Sequence, residues 1–341
     1  GERMTAATDL SELLARQREA HQRDPMPGWP VRAARLRALE TLLHQHRDAI
    51  GEAIHADFGC RPREETDLLE VFPSLSAVRH GLSHGKRWMR PRRRLAELAF
   101  LPARTELRPQ PLGVVGIIVP WNYPLYLAVG PLVDALVAGN RAMIKMSEYT
   151  PQFSALFADL VARHFPREEV AVVTGDASVA QAFSSLPLDH LLFTGSTAVG
   201  RHVMRAAADN LTPVTRELGG KSPAIIGPSA DFPKAVERIV FGKLVNAGQT
   251  CIAPDYVLLP RNRVGDFIAN ARTVVERFYP DISGNGQYAS IASDRQHERL
   301  LALRDAAVAE GARAEALGAG GSSNGSRRLL PTVLTGVRDD M

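Results

Sequence analysis

Apolar residues early in the chain recur at helical spacing. Val31, Leu36, Leu39, Leu42, Leu43, Ile50 and Ile54 fall on one face while charged and polar residues fill the other, which predicts amphipathic helices. From Gly113 the period changes: residues 113–119 form a short apolar run, 125–138 are helix-like, 142–145 strand-like and 151–164 helical. Residues 170–173, 177–183, 190–193 and 198–208 repeat that rhythm. Apolar strands alternating with helices predict a parallel sheet covered on both faces, in outline a nucleotide-binding architecture. A second α/β unit is expected from Gly219, with strands at 224–226, 256–259 and 332–337 and helices at 232–244, 264–278 and 294–309. The Gly219-Gly220 pair is the expected hinge, and the glycine- and serine-rich stretch 318–326 suits a flexible surface loop.

Composition changes this picture little. With 341 residues, 45% hydrophobic and 23% charged, the chain is long enough for two compact domains and has an ordinary globular balance. No apolar stretch reaches the length of about 18 residues that would span a bilayer, and no leader pattern opens the chain. No membrane association is expected. The net charge of +4 and the basic run 86–94, with Trp88 inside it, lack the interleaved aromatics of a stacking platform. That run suits a solvated or inter-subunit face, and no nucleic acid is expected as partner. The two cysteines, Cys60 and Cys251, form no paired spacing, and the histidines, His190 and His202 included, form no ligand spacing. These features predict a reducing cytoplasm and no metal.

Candidate chemistry concentrates at Gly248-Gln249-Thr250-Cys251, preceded by Glu217-Leu218-Gly219-Gly220-Lys221-Ser222-Pro223. A thiolate attacks carbonyl carbon well, and a nearby carboxylate can take the thiol proton and later activate water. Cys60 has no base or second thiol among its neighbours and is expected to be structural. The glycine fingerprint of dinucleotide sites is absent after the early strands. In its place, Thr194-Gly195-Ser196-Thr197-Ala198-Val199-Gly200 joins a strand to a helix. Gly195 allows close approach of a ligand to the backbone, and Ser196 suits either a pyrophosphate cradle or plain helix capping.

Together these segments resemble the aldehyde dehydrogenase superfamily over nearly the whole chain. Pro120-Trp121-Asn122-Tyr123-Pro124 is similar to the family's oxyanion segment, residues 193–200 to its cofactor segment, 217–223 to its general-base segment and 248–251 to its nucleophile segment. The wording around Cys251 resembles the class-three-like branch and, within it, the bacterial coniferyl aldehyde dehydrogenases. The resemblance implies an α/β fold in which 1–89 and 111–218 form a variant Rossmann cofactor domain. It further implies an oligomerisation arm at 90–110 and a second α/β catalytic domain at 219–341. Cys251 would attack the aldehyde, Asn122 would donate to the oxyanion, and Glu217 would activate water. Trp121, Lys145, Glu148, Gly195, Ser196 and Gly200 would contact the cofactor. Lys145 and Glu148 match adenosine-ribose contacts; a carboxylate there accepts ribose hydroxyls and repels an added phosphate, favouring NAD while admitting NADP.

The implied substrate is a small aldehyde, aromatic or medium-chain, with Tyr123 as a candidate wall for a flat ring. The family continues with a Glu-x-Phe-Gly-Pro segment and a tail. This sequence stops at Met341 before them, so the second domain is expected to be truncated and a homodimer is expected of the full-length chain. Two other classes fit the motifs: a cysteine-dependent ester or thioester hydrolase, and an inactive nucleotide-binding fragment.

Overall fold

The computed structural model describes residues 2–320 and 326–341; the middle of the 318–326 stretch lies outside the described residues. Contacts divide the chain into two units. The first takes the chain up to Ile50 and Asp67–Leu218, and the second takes Gly51–Thr66 and the chain from Gly219.

Helices come first: α1 (Glu2–Arg23), α2 (Trp29–Gln45), α3 (Arg47–Phe58) and α4 (Arg63–Thr66) lead through a π-helical turn, Asp67–Val71, into α5 (Phe72–Trp88). A short antiparallel pair follows, β1 (Arg92–Arg94) against β2 (Thr105–Leu107). The alternating part then runs β3 (Val114–Ile118), α6 (Tyr126–Ala138), β4 (Arg141–Lys145), α7 (Pro151–His164), β5 (Val170–Val173), α8 (Ala177–Ser184), β6 (His190–Gly195), α9 (Thr197–Ala208) and β7 (Val214–Leu218).

These last five strands form one parallel sheet in the order β5-β4-β3-β6-β7. Every residue of β3 and β4 is buried, as central parallel strands require when helices cover both faces. Leu36, Leu39, Leu42 and Leu43 of α2 are fully buried in the layer that α2 forms with α5 and α6. A second apolar cluster joins Leu10, Leu13 and Leu14 of α1 to Phe183, Leu191, Phe193 and Val203. Strand β7 was not foreseen: it is a sheet edge whose Thr215, Arg216 and Glu217 are exposed, so Val-Thr-Arg-Glu-Leu lacks the apolar run of its neighbours.

The second unit is smaller. β8 (Ser222–Ile225) pairs in parallel with β9 (Pro254–Leu258), and β10 (Arg313–Ala316) pairs antiparallel with β11 (Thr332–Thr335). Helices α10 (Phe232–Leu244) and α11 (Val264–Phe278) build its core through Phe232, Val236, Val240, Phe267, Ala271 and Val275, while α12 (Asp294–Ala309) buries no residue.

Phe183 is fully buried, so Phe183→Ala should cost the first unit about 3–5 kcal/mol through lost burial and a cavity. The three tryptophans, Trp29, Trp88 and Trp121, all lie in that unit. A downward shift of the urea midpoint followed by tryptophan fluorescence checks this.

Candidate active site

Register places the first unit's candidate residues on one edge. Lys145, Ile118, Phe193 and Arg216 pair across adjacent strands in a single row. Beyond that row the chain leaves each strand at its carboxyl end. Asn122 and Trp121 follow β3, Glu148 follows β4, Ser196 follows Gly195 at the end of β6, and Glu217 sits opposite Thr194 near the end of β7. The chain runs from β3 outward to β4 and β5, then returns past β3 to β6 and β7, so β3 and β6 flank a topological switch point. Open α/β sheets bind ligands in the crevice at such a point.

The side chains at this edge are individually held. Ser196 caps α9 by accepting the Val199 N–H at 3.3 Å, leaving residues 196–199 exposed at the positive end of the helix. Gly200 is buried, and a Cβ there would come within 3.1 Å of Leu218 and 3.3 Å of the Phe193 ring, so glycine lets α9 lie close on the sheet. Lys145 is buried, unlike a surface charge couple: its ammonium donates to the carbonyls of Met146 at 2.6 Å and Gly175 at 2.9 Å, with Glu148 at 3.7 Å. Burial lowers its pKa, and Glu148 and Asp176 oppose that shift. Tyr123 is 8% exposed, which places its ring in the packing of the unit rather than as an open wall. Just after the Asn122 segment, the buried Glu70 accepts the N–H groups of Leu125 at 2.7 Å and Tyr126 at 3.0 Å, fixing the start of α6.

Cys251 is exposed and belongs to the second unit, on the loop between α10 and β9. Its backbone neighbour is Gly220, where a Cβ would stand 2.8 Å from the Cys251 carbonyl oxygen; only glycine allows that approach. Immediately before Gly248-Cys251 comes the bend: Asn246 and Ala247 both adopt φ 51°, ψ 32°, a left-handed conformation that costs a residue with a Cβ about 1–2 kcal/mol. Gln249 braces the loop, its Nε2 donating to the carbonyls of Asn246 and Ser290 at 3.0 Å and its Oε1 accepting the Ala292 N–H at 2.9 Å. Asp255 ties Lys221 at 3.2 Å and Lys243 at 3.8 Å, linking the segment after Gly220 to the strand after Cys251. Burial lowers the Lys243 pKa against the pull of Asp255. Underneath, Glu65 accepts the Asn246 N–H at 3.0 Å. Its pKa is pushed up to about 7 by burial, against Arg61 and the Asn246 N–H, which pull it down, and with Glu64, which raises it. Cys60 is buried, and its sulfur receives the Arg328 guanidinium at 3.2 Å.

The aldehyde dehydrogenase family model matches residues 4–341. The chain belongs to the aldehyde dehydrogenase family. A Pseudomonas aeruginosa protein named "probable coniferyl aldehyde dehydrogenase" is 53% identical over 97% of this chain and 69% of its own length. The coniferyl aldehyde dehydrogenase of Pseudomonas sp. HR199 is 44% identical over 98% of this chain and 70% of its own length. Among solved structures, Staphylococcus aureus AldH in a substrate-bound state superposes with a TM-score of 0.90 at 31% identity, over 97% of this chain and 71% of that one. A Mycobacterium tuberculosis aldehyde dehydrogenase complexed with NAD+ gives 0.88 at 31% identity, over 98% and 70%. As an aldehyde dehydrogenase the chain is an oxidoreductase of the expected α/β fold, and the hydrolase alternative is set aside. Among the described residues no helix is long and apolar enough to cross a membrane, and no group of three or more His, Cys, Asp or Glu side chains could hold a metal ion.

Sequence reasoning missed Glu65, Glu70 and the bracing role of Gln249. Glu65 stands in a charge-rich stretch, Arg61-Pro62-Arg63-Glu64-Glu65, that carries the signal of a solvated surface, and Glu70 follows it within five residues.

A pH dependence follows from Glu65. Its folded pKa, about 7, lies above its ordinary 4.5, so between those values the folded chain holds a proton that the unfolded chain releases. Its contribution to stability is therefore full below about pH 4.5 and is lost as the pH rises through about 7. Thermal unfolding across that window should show the decline in wild type, and Glu65→Gln should flatten it.

Proposed function

We propose that this chain carries the catalytic apparatus for NAD(P)-dependent oxidation of an aromatic or medium-chain aldehyde to its carboxylic acid. Cys251 is the nucleophile, Asn122 the oxyanion donor and Glu217 the general base. The observation that carries this reading is the delivery of Asn122, Glu148, Ser196 and Glu217 to the carboxyl ends of adjacent parallel strands around one switch point.

The donor set at that edge suits a nicotinamide dinucleotide. The capped, exposed start of α9 matches a pyrophosphate, with Gly195 and Gly200 leaving room for the Phe193 ring so that the helix start sits close on the sheet. The partly exposed Glu148 carboxylate, seated beside Lys145, matches ribose hydroxyls, and Trp121 lies on the loop that follows the neighbouring strand β3. NAD(P)+, when bound, supplies the hydride acceptor. The named complex of the M. tuberculosis relative with NAD+ and the E. coli NADP-dependent structure, at 26% identity and a TM-score of 0.87, support both forms.

In this reading the Cys251 thiolate adds to the aldehyde carbon, and the side-chain amide of Asn122 stabilises the charge that develops on oxygen. Loss of hydride from the adduct leaves a thioester on Cys251. Glu217 then takes a proton from water, whose oxygen attacks the thioester carbon; the acid leaves and the Cys251 thiolate returns. Tyr123 is too buried to support the flat-ring preference, which therefore rests on the coniferyl aldehyde named for the relatives. The exposed Leu95, Leu98, Phe100 and Leu101 between β1 and β2 support a homodimer built through this arm.

Cys251→Ala should lower aldehyde oxidation at least about 10³-fold while leaving cofactor binding by titration unchanged. Glu217→Gln should slow steady turnover by about 10²-fold or more but spare the first turnover, seen as a burst of reduced cofactor; equal loss in both phases would remove Glu217 from the hydrolytic step.

Substrate class is read from kcat/KM across cinnamaldehyde-like, straight-chain and carboxylate-bearing aldehydes. The first two groups should lead with modest discrimination between them, because one methylene is worth only about 1–3 kcal/mol. Preference for the carboxylate-bearing group would replace this assignment with a semialdehyde substrate.

A further inference from the structure

The loop that presents Cys251 is held at a point five residues upstream. Asn246 is fully buried and opens a pair of consecutive left-handed residues, neither of them glycine. Such a bend relaxes unless its surroundings over-determine it. Both backbone groups of Asn246 are tied: its carbonyl accepts the Gln249 amide at 3.0 Å, and its N–H donates to the Glu65 carboxylate at 3.0 Å. The first tie runs through a residue of the loop itself, Gln249, which also reaches the Ser290 carbonyl and the Ala292 N–H. Glu65 belongs instead to α4, near the fully buried Arg61. It therefore ties the backbone of the bend directly to a helix that lies outside the loop.

We propose that Glu65 is a positioning residue for the nucleophile: by receiving the Asn246 N–H it locks the left-handed bend and sets where the Gly248–Cys251 segment projects. This rests on Cys251 being the nucleophile. Burying a carboxylate is costly, and its elevated pKa reflects that. A backbone amide that bends away from the helix ladder needs an acceptor held in place, and the Glu65 side-chain oxygen at 3.0 Å supplies it. Glu65 touches no reacting atom in this account; it acts through the backbone.

The test uses the full chain carrying Glu65→Ala, Glu65→Gln, Glu65→Asp or Cys251→Ala, with folding checked by circular dichroism. Two readouts are taken: the rate of Cys251 alkylation by iodoacetamide, mapped by mass spectrometry, and kcat and KM for aldehyde oxidation. Glu65→Ala should change the alkylation rate at least about threefold and lower kcat about tenfold, with KM for the cofactor within about twofold, as expected for loss of one hydrogen bond that orients the nucleophile. Glu65→Gln should recover most of both, because its Oε1 accepts the same N–H. Glu65→Asp withdraws the carboxylate by one methylene and should shift alkylation and kcat in the direction given for Glu65→Ala, which keeps the test readable where the alanine variant does not fold. Wild-type alkylation and kcat in Glu65→Asp, or a glutamine variant as impaired as alanine, would overturn the proposal. Oxidation retained in Cys251→Ala would instead overturn the nucleophile assignment, a separate result that the alkylation arm does not share.

Discussion

Parallel pairing of β3 with β4 on one side and β6 on the other is the constraint from which the first unit follows. Parallel neighbours need crossover connections, so helices must cover both faces. With Val114–Ile118 and Arg141–Lys145 buried throughout, polar groups are forced to the two ends of the strands. At the amino ends they are consumed structurally: Asn140 accepts the N–H groups of Leu112 and Gly113, and Asp189 accepts that of Val114. The carboxyl ends carry Asn122, Glu148, Ser196 and Glu217 on partly or fully exposed positions. One edge closes the sheet and the other is left for chemistry.

The loops at that edge and in the second unit share a device. A carboxylate from a separate element receives backbone N–H groups close to a candidate catalytic residue: Glu70 takes Leu125 and Tyr126 just beyond Asn122, and Glu65 takes Asn246 just before Cys251. In neither case does the carboxylate belong to the segment it holds. Loops lack the ladder bonds that make strands and helices rigid, and an acceptor anchored elsewhere restores that rigidity at one chosen point. Gln249 extends the device on the Cys251 loop, fastening it to the backbone at Ser290 and Ala292.

How far this was legible in the sequence depends on how each element meets solvent. Strands β3, β4, β5 and β6 announce themselves because their residues are largely apolar runs between helical patterns. The edge strand β7 does not, since Thr215, Arg216 and Glu217 face water and the run looks like a loop. The arginine triplet of β1 and the Arg-Ala-Glu-Ala of β10 are hidden for the same reason. Motif residues fared better than their supports. Gly220, Ser196 and Gly200 stand in recognisable segments, and the structure supplies the contacts that explain them. Glu65 and the bend at Ala247 could not be read: nothing local distinguishes a half-buried glutamate from its exposed neighbour Glu64, and alanine carries no preference for the left-handed region.

Lys145 shows why position in the sheet matters more than residue type. At the end of a fully buried strand its ammonium has two backbone carbonyls as acceptors before any ligand is considered. A cation so engaged offers a ligand less than a free lysine would, because each new partner must compete with bonds already made in a poorly solvated place. Glu148, three residues later and partly exposed, is not so enclosed. On the proposed reading, the charge that meets a ribose at this edge is therefore mainly the carboxylate's, and Lys145 serves to hold the turn from which that carboxylate extends.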